Sequence, residues 1–436
     1  VSDLCFVEFS IMSVSPTPPS TGFFSFPRQD ILAGFVVFLV ALPLCLGIAI
    51  ACGLPPVAGL VAGVVGGLVV PIVSRSPLSV TGPAAGLTSI VLFEVARLGG
   101  IVPFLAAVVV AGVLQVGFGL LRSGRFSALV PSSAIKGMLA AIGITIVVKQ
   151  LPLAFGADGG FAVIHNTWHG GATLLAVASV ALLLIWPRTP LKRIAFVPPA
   201  LVVVVLGTVF ARLFVGTSLE LEPNDFVIVP AGGIAGLWAA LSHPVPADFL
   251  RSDVWIAGAT IAIVASIETL LSVQAVDRLD PLRRRTPTDR ELIAQGIGNT
   301  VSGLLGGLPI TAVIVRSSAN VTAGGRERLS AVVHAVLLLG AVVLAAPLLS
   351  MIPMAALAAV LIVVGVNLAK PSTFIQQAKL GIDQLAPFIV TIVAVLATDL
   401  LKGVVIGVVV ALGFTLHQNS KGAITKKVDA DGTVRL

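Results

Sequence analysis

Two stretches of this chain combine residue types that could hold a small anion without metal or cofactor: SPLSVTGPAAGL at Ser76–Leu87 and GGLPITAVIVRSSANV at Gly306–Val321. In the first, a β-branched, proline-punctuated run reads as extended chain up to Thr81. Gly82 and Pro83 then mark a turn with proline near the first helical position. A helix starting there directs unpaired N–H groups and roughly half a positive charge at whatever sits before it, and the small Ala84 and Ala85 let an anion approach. In the second stretch the strand-like run Ile310–Val315 follows Pro309, a helix is expected to begin near Ala312 or Val313, and Arg316 adds a permanent charge about one turn on. A third element is Glu268 in ASIETLLS, with Ser272 four residues later on the same helical face. One carboxylate and one hydroxyl suit Na⁺, and the carboxylate alone suits a proton. Either cation would offset the anion's charge. Glu268 is also a candidate structural partner for Arg316.

These groups are expected inside a bilayer. The chain of 436 residues is 57% hydrophobic and 11% charged, more apolar surface than a soluble globule can hide. The apolar runs lack alternation and so read as helices rather than barrel strands. Cys5, Cys45 and Cys52 offer no disulfide framework, and no nucleophile–base pairing or phosphate loop appears, which argues against an enzyme. The net charge of +7 reflects lysines and arginines in connecting loops, not a nucleic-acid surface.

Loop signals divide the chain into about fourteen membrane segments. Residues 1–27 read as a disordered leader, with Met12 a candidate start. Residues 28–215 form segments 1–7, 216–250 an outer loop, 251–418 segments 8–14, and 419–436 a short tail. An even count puts both termini on one side. Calling that side cytoplasmic places Arg75, Arg122, Arg188, the Arg283–Arg285 cluster, Arg326 and Arg328 there, and leaves Glu220, Glu222, Asp225 and Asp248 outside. Seven segments in each half imply an inverted duplication. LSVTG at Leu78–Gly82 recurs as LPITA at Leu308–Ala312, each after a Gly-rich helix containing Gly66-Gly67 or Gly306-Gly307. Paired, interrupted segments at matching places in two halves mark a transporter binding site.

Weaker signals are read as structural. Glu94 and Arg97 form an ion pair, Gln115 and His334 make interhelical hydrogen bonds, and the Gly59/Gly63 and Gly403/Gly407 pairs are packing faces. His165 and His169 have helical spacing but no acid neighbours, so zinc is not favoured.

At DILAG (Asp30–Gly34), ALPL (Ala41–Leu44), SVTGPAA (Ser79–Ala85), SIETLL (Ser266–Leu271) and RSSANV (Arg316–Val321) the chain resembles the SulP family of anion transporters, over about Arg28 to His417. The resemblance implies an all-α polytopic membrane protein with a 7+7 inverted repeat of uracil-permease-like architecture. Segments 1–4 and 8–11 form a core, 5–7 and 12–14 a gate, and the chain usually pairs as a homodimer. By analogy Thr81 touches the anion, Glu268 and Ser272 hold Na⁺, and the backbone of Ala312, Val313 and Ile314 serves both. Val313, Ile314 and Val315 lack the hydroxyls common there in relatives, which weakens the Na⁺ reading. Residues 419–436 are too few for the STAS domain common in the family. LPLCLGIAIACG, VTGPAAGL and AVIVRSSANV look most like bacterial members found with carbonic anhydrase, implying a functional link to that enzyme and favouring bicarbonate over sulfate.

The expectation is a secondary active carrier of bicarbonate or sulfate in the bacterial inner membrane, with Na⁺ or H⁺ as coupling ion and no other cofactor. The rivals are a nucleobase permease of the same architecture and an anion channel or non-transporting sensor.

Overall fold

The computed structural model describes residues 22–124, 131–157, 168–189, 198–230, 232–398, 400–422, 427–428 and 434–435. Among the described residues, seven helical segments are long and apolar enough to cross a bilayer: Pro27–Ala51, Pro56–Val73, Ile101–Leu120, Ser132–Ala154, Gly170–Arg188, Ser252–Leu279 and Met354–Lys379. Four apolar helices are shorter: Pro199–Leu213, Leu329–Leu344, Ile382–Ala397 and Lys402–His417. The remaining three of the expected fourteen are two half-helices and one helix with a buried polar face, which hydropathy alone underrates.

In chain order the first half comprises α1 (Pro27–Ala51), α2 (Pro56–Leu68), α3 (Val70–Val73), β1 (Thr81–Pro83), α4 (Thr88–Leu98), α5 (Ile101–Leu120), α6 (Ser132–Ala154), α7 (Gly170–Ile185) and α8 (Pro199–Leu213). The connecting loop carries α9 (Gly233–Ala240). The second half comprises α10 (Ser252–Leu279), α11 (Thr288–Leu304), β2 (Ile310–Ala312), α12 (Ile314–Thr322), α13 (Leu329–Leu344), α14 (Ala346–Leu349), α15 (Met354–Leu368), α16 (Pro371–Lys379), α17 (Ile382–Ala397) and α18 (Leu400–Gly422). Proline opens α2, α8 and α16 at a position whose N–H has no helical acceptor anyway. Gly99, at φ +86°, closes α4 in the left-handed conformation.

The helices pack as two groups. In one, α1 packs on α2 and α13 while α5 packs on α10 and α11; in the other, α6 packs on α15, α17 and α18, with α7 against α15. The groups meet along α1, which touches α8 and α15. This is the division into segments 1–4 with 8–11 and 5–7 with 12–14.

Three details differ from the sequence reading. Residues 371–379 form a separate helix that is mostly exposed, with Thr373 and Phe374 half-buried and Gln377 buried, set between two of the expected segments. The last helix runs to Gly422, past the expected end at 418. Residues 427–428 and 434–435 pair as short antiparallel strands within the expected tail. Residues 1–21 of the leader and His165 lie outside the described residues, while His169 contacts Glu222 at 3.1 Å. Glycine pairs behave as expected: Gly59 lies against Cys45 and Ala49, Gly63 against Cys45 and Leu338, and Gly403 and Gly407 against Val395 and Thr391.

Candidate anion site

At the centre of the first group, β1 and β2 pair antiparallel, with Thr81 opposite Ala312, Gly82 opposite Thr311 and Pro83 opposite Ile310. The Val313 N–H donates to the Val80 carbonyl at 3.0 Å, extending the ladder. Gly66 of α2 permits this, because a Cβ there would stand 2.6 Å from the Thr81 carbonyl oxygen. The pairing explains one departure from the sequence reading. Gly82 and Pro83 belong to the strand rather than to a turn, and the first half-helix opens later, with a 3₁₀ turn at Ala85–Leu87 before α4.

Both half-helices begin without a side-chain cap. In the first, Ala84 is extended and the first turn closes with Leu87 N–H to the Ala84 carbonyl at 3.2 Å. The amides of Ala85 and Gly86 therefore have no helical acceptor. In the second, the first bond is Ser317 N–H to the Val313 carbonyl at 3.0 Å, so the amides of Ile314, Val315 and Arg316 have none. Of the three backbone positions expected to serve the site, Ile314 keeps an uncommitted amide. The Ala312 N–H donates to Thr269 Oγ1 at 3.3 Å and Val313 is held by Val80.

The charged side chains reach these termini from the other half. The carboxylate of Glu268, on α10, is half-buried and rests against Gly86. Arg316 is fully buried, packs its guanidinium on Gly82 and donates Nη2 to the Pro83 carbonyl at 3.3 Å. It forms no ion pair with Glu268, so the structural pairing considered from sequence is not made. Cys45 and His334 lie beside it. A guanidinium at this depth, answered among the described residues by no carboxylate but by the Pro83 carbonyl and the adjoining Cys45 thiol, is a standing positive potential. Ser272 lies half-buried one turn beyond Glu268 and has no hydrogen bond to a described residue.

Thr81 is held from the second half of the chain. It is buried, and its hydroxyl accepts from Gln295 Nε2 at 2.9 Å. That bond belongs to a network the sequence reading missed. Glu291, Gln295, Asn299 and Ser302 form one fully buried face of α11. Ser74 donates to Glu291, as does Gln295 at 2.9 Å. Asn299 grips both backbone groups of Ile310, accepting from its N–H at 2.7 Å and donating to its carbonyl at 3.0 Å, and also donates to Gln115 at 2.7 Å. The spacing i, i+4, i+8 in ELIAQGIGN was the available signal. Gln115 also donates to Ser266 at 3.2 Å, as its reading as an interhelical link requires; neither ring nitrogen of His334 has a partner among the described residues.

Comparison with known proteins places this geometry. The signature of the sulfate permease family matches residues 28–394. The bicarbonate transporter BicA of Picosynechococcus sp. is 30% identical over 433 residues, covering 94% of this chain and 74% of that protein. A Bacillus subtilis protein provisionally named sulfate transporter YvdB is 28% identical over 408 residues, covering 90% and 74%. The solved transmembrane domain of a cyanobacterial BicA superposes with a TM-score of 0.75 at 28% identity, covering 89% of this chain and 97% of that one. SLC26A9 superposes with a TM-score of 0.79 at 17% identity, covering 92% and 67%, a likeness of fold.

Proposed function

The chain belongs to the sulfate permease family, and from that membership we propose that it is a secondary active carrier of a small oxyanion, bicarbonate ahead of sulfate, coupled to a cation at Glu268. The observation that carries the reading is the meeting of two uncapped half-helix N-termini across β1 and β2 with an unpaired, fully buried Arg316 behind them. The amides of Ala85, Gly86, Ile314, Val315 and Arg316 supply hydrogen bonds, each worth about 1.5–3 kcal/mol to a charged acceptor, and the two helix ends and Arg316 supply the potential. Relatives named bicarbonate transporters and relatives provisionally named sulfate transporters both match at 28–30% identity over at least 90% of the chain, and bicarbonate is placed first on the resemblance of LPLCLGIAIACG, VTGPAAGL and AVIVRSSANV to members found with carbonic anhydrase.

Glu268 meets the cradle at Gly86, so loading it with a cation lowers the net charge that must cross with the anion. A proton fits the residues better than Na⁺. Of the neighbouring hydroxyls Thr269 accepts from Ala312 and Ser272 alone is uncommitted, while Val313, Ile314 and Val315 offer none. The group containing β1 and β2 would carry the anion past the group built on α6, α15, α17 and α18. The excess of arginines in the loops assigned to one side supports a cytoplasmic position for both termini in a bacterial inner membrane. A nucleobase permease and an anion channel or sensor are disfavoured by the family membership.

The test is uptake of labelled bicarbonate and sulfate into proteoliposomes under imposed pH and Na⁺ gradients. Saturable uptake driven by an inward proton gradient is expected. Absence of saturable uptake of both anions under every gradient sinks the reading, and drive by Na⁺ alone replaces the proton with sodium.

A further inference from the structure

We propose that the cleft between α4 and α10 on one side and α6, α17 and α18 on the other is a second anion-binding station, with Lys149 as its principal ligand. It would hold a small oxyanion on its way to the cradle. The proposal rests on the anion-carrier reading but concerns a separate place in the molecule.

The cleft has a volume of about 520 Å³ and is lined by, among others, Ser89, Glu94, Arg97, Thr145, Lys149 and Lys402. Among these described residues three cations face one acid, and that acid is already answered: Glu94 is buried and pairs with Arg97 at 2.6 Å. Arg97 is further tied to the Asp253 carbonyl at 3.1 Å. The Thr145 hydroxyl is spent on the Ala141 carbonyl at 3.0 Å. Lys149 is half-buried on α6 and makes no hydrogen bond or ion pair with a described residue. A partly desolvated ammonium with three donors and no partner is a poor structural element and a good ligand for an oxyanion.

Position supports the role. Ser89, which lines the cleft, lies one helical turn beyond the uncommitted amides of Ala85 and Gly86, about 5 Å along the axis. Ser89, Glu94 and Arg97 belong to the group carrying the cradle and Lys149 and Lys402 to the other, so motion between the groups changes the distance from Lys149 to the cradle. A cationic cleft leading to a low-dielectric site raises the local anion concentration and the rate of capture.

The experiment uses the full chain reconstituted in phosphatidylcholine vesicles. Lys149→Gln is expected to raise the apparent KM for the anion supplied at the cleft face by about three- to tenfold at low ionic strength, with Vmax within about twofold and a flatter dependence of KM on salt. In a Cys5→Ser background, where Cys45 and Cys52 are buried, Lys149→Cys should recover on treatment with the cationic reagent MTSEA and lose further activity with the anionic MTSES. Equal responses to the two reagents would overturn the proposal.

A readout independent of transport is the rate at which N-ethylmaleimide labels Thr145→Cys, which lines the same cleft and leaves Lys149 in place, in the Cys5→Ser background, followed by mass spectrometry. Millimolar sulfate or bicarbonate should slow it, even if wild-type uptake is absent and the carrier reading has failed. No protection, beside active wild-type uptake, rejects the station and leaves the carrier reading standing. A Lys149→Gln effect confined to vesicles containing phosphatidylglycerol would assign the cleft to a lipid headgroup and overturn it as well.

Discussion

Glu268 and Gly86 stand in direct contact although they come from opposite halves of the chain: a Cβ at position 86 would lie 2.7 Å from the Glu268 carboxyl carbon. Gly86→Ala should therefore push the carboxylate off the first half-helix. Uptake is expected to fall at least about tenfold, the size of a 1.4 kcal/mol loss, while the detergent-solubilised protein melts within a few degrees of wild type. Unchanged uptake would show that the contact is not used.

Glu268→Gln removes the ionisable group and preserves shape. Gradient-driven accumulation should disappear, while exchange of anion between the two sides persists, because the amide cradle is intact. Parallel accumulation and exchange assays decide; retained accumulation under a proton gradient would place the coupling group elsewhere.

Arg316 separates potential from packing. Arg316→Lys keeps a charge but loses the planar fork that reaches the Pro83 carbonyl, and should raise KM severalfold. Arg316→Met keeps much of the volume without charge and should raise it by at least about tenfold, a loss of about 1.4 kcal/mol. Equal KM values for the two variants would contradict an electrostatic role.

Much of this was legible before the fold was known. Long apolar runs, loop arginines and the repeated LSVTG/LPITA stretches were enough to outline two inverted halves, and Glu268 and Arg316 stood out because charges at membrane depth are costly. What failed was local inference about contacts set at long range. Gly82 and Pro83 look like a turn until β2, from the other half, pairs with them. Nothing local marks Gln295 as the donor to the Thr81 hydroxyl, which keeps its own proton for a further acceptor. Thr269, which accepts from the Ala312 N–H, has no pattern in the sequence to mark it.

The polar face of α11 makes a stability prediction. Asn299→Leu would leave both backbone groups of Ile310 unsatisfied in a dry interior, a change of about 2–4 kcal/mol from two lost partners. Thermal unfolding in detergent should shift down clearly, more than for Thr300→Ala one position along, whose hydroxyl bonds only its own helix at the Gly296 carbonyl.

Outside the membrane helices, Arg284 clamps Asp280 at 2.7 Å and also pairs with Glu327. Burial alone would raise the Asp280 carboxyl, but hydrogen bonds from the Arg284 side chain and from the backbone amides of Leu282 and Arg284 outweigh it and hold it below the ordinary aspartate value. Its contribution is therefore fully present above the unfolded value near pH 3.9 and is lost as pH falls through the lower folded one. Asp280→Asn should lower the melting temperature at pH 7 and flatten its decline below about pH 4. An unaltered acid limb would show that the clamp contributes nothing.

The strand pair has a consequence for how the protein is made. Thr81 and Ala312 are emitted by the ribosome far apart in time, and no described strand other than β2 pairs with β1. Until α11 and β2 arrive, the backbone polar groups of residues 80–83 must wait at membrane depth without the acceptors and donors they will later have, an expensive state in lipid. The earlier half thus enters the bilayer unfinished, and completion of the site becomes the last checkpoint of core assembly. Separately expressed halves should recover function only when both are present, and the first alone should be the species that membrane quality control removes.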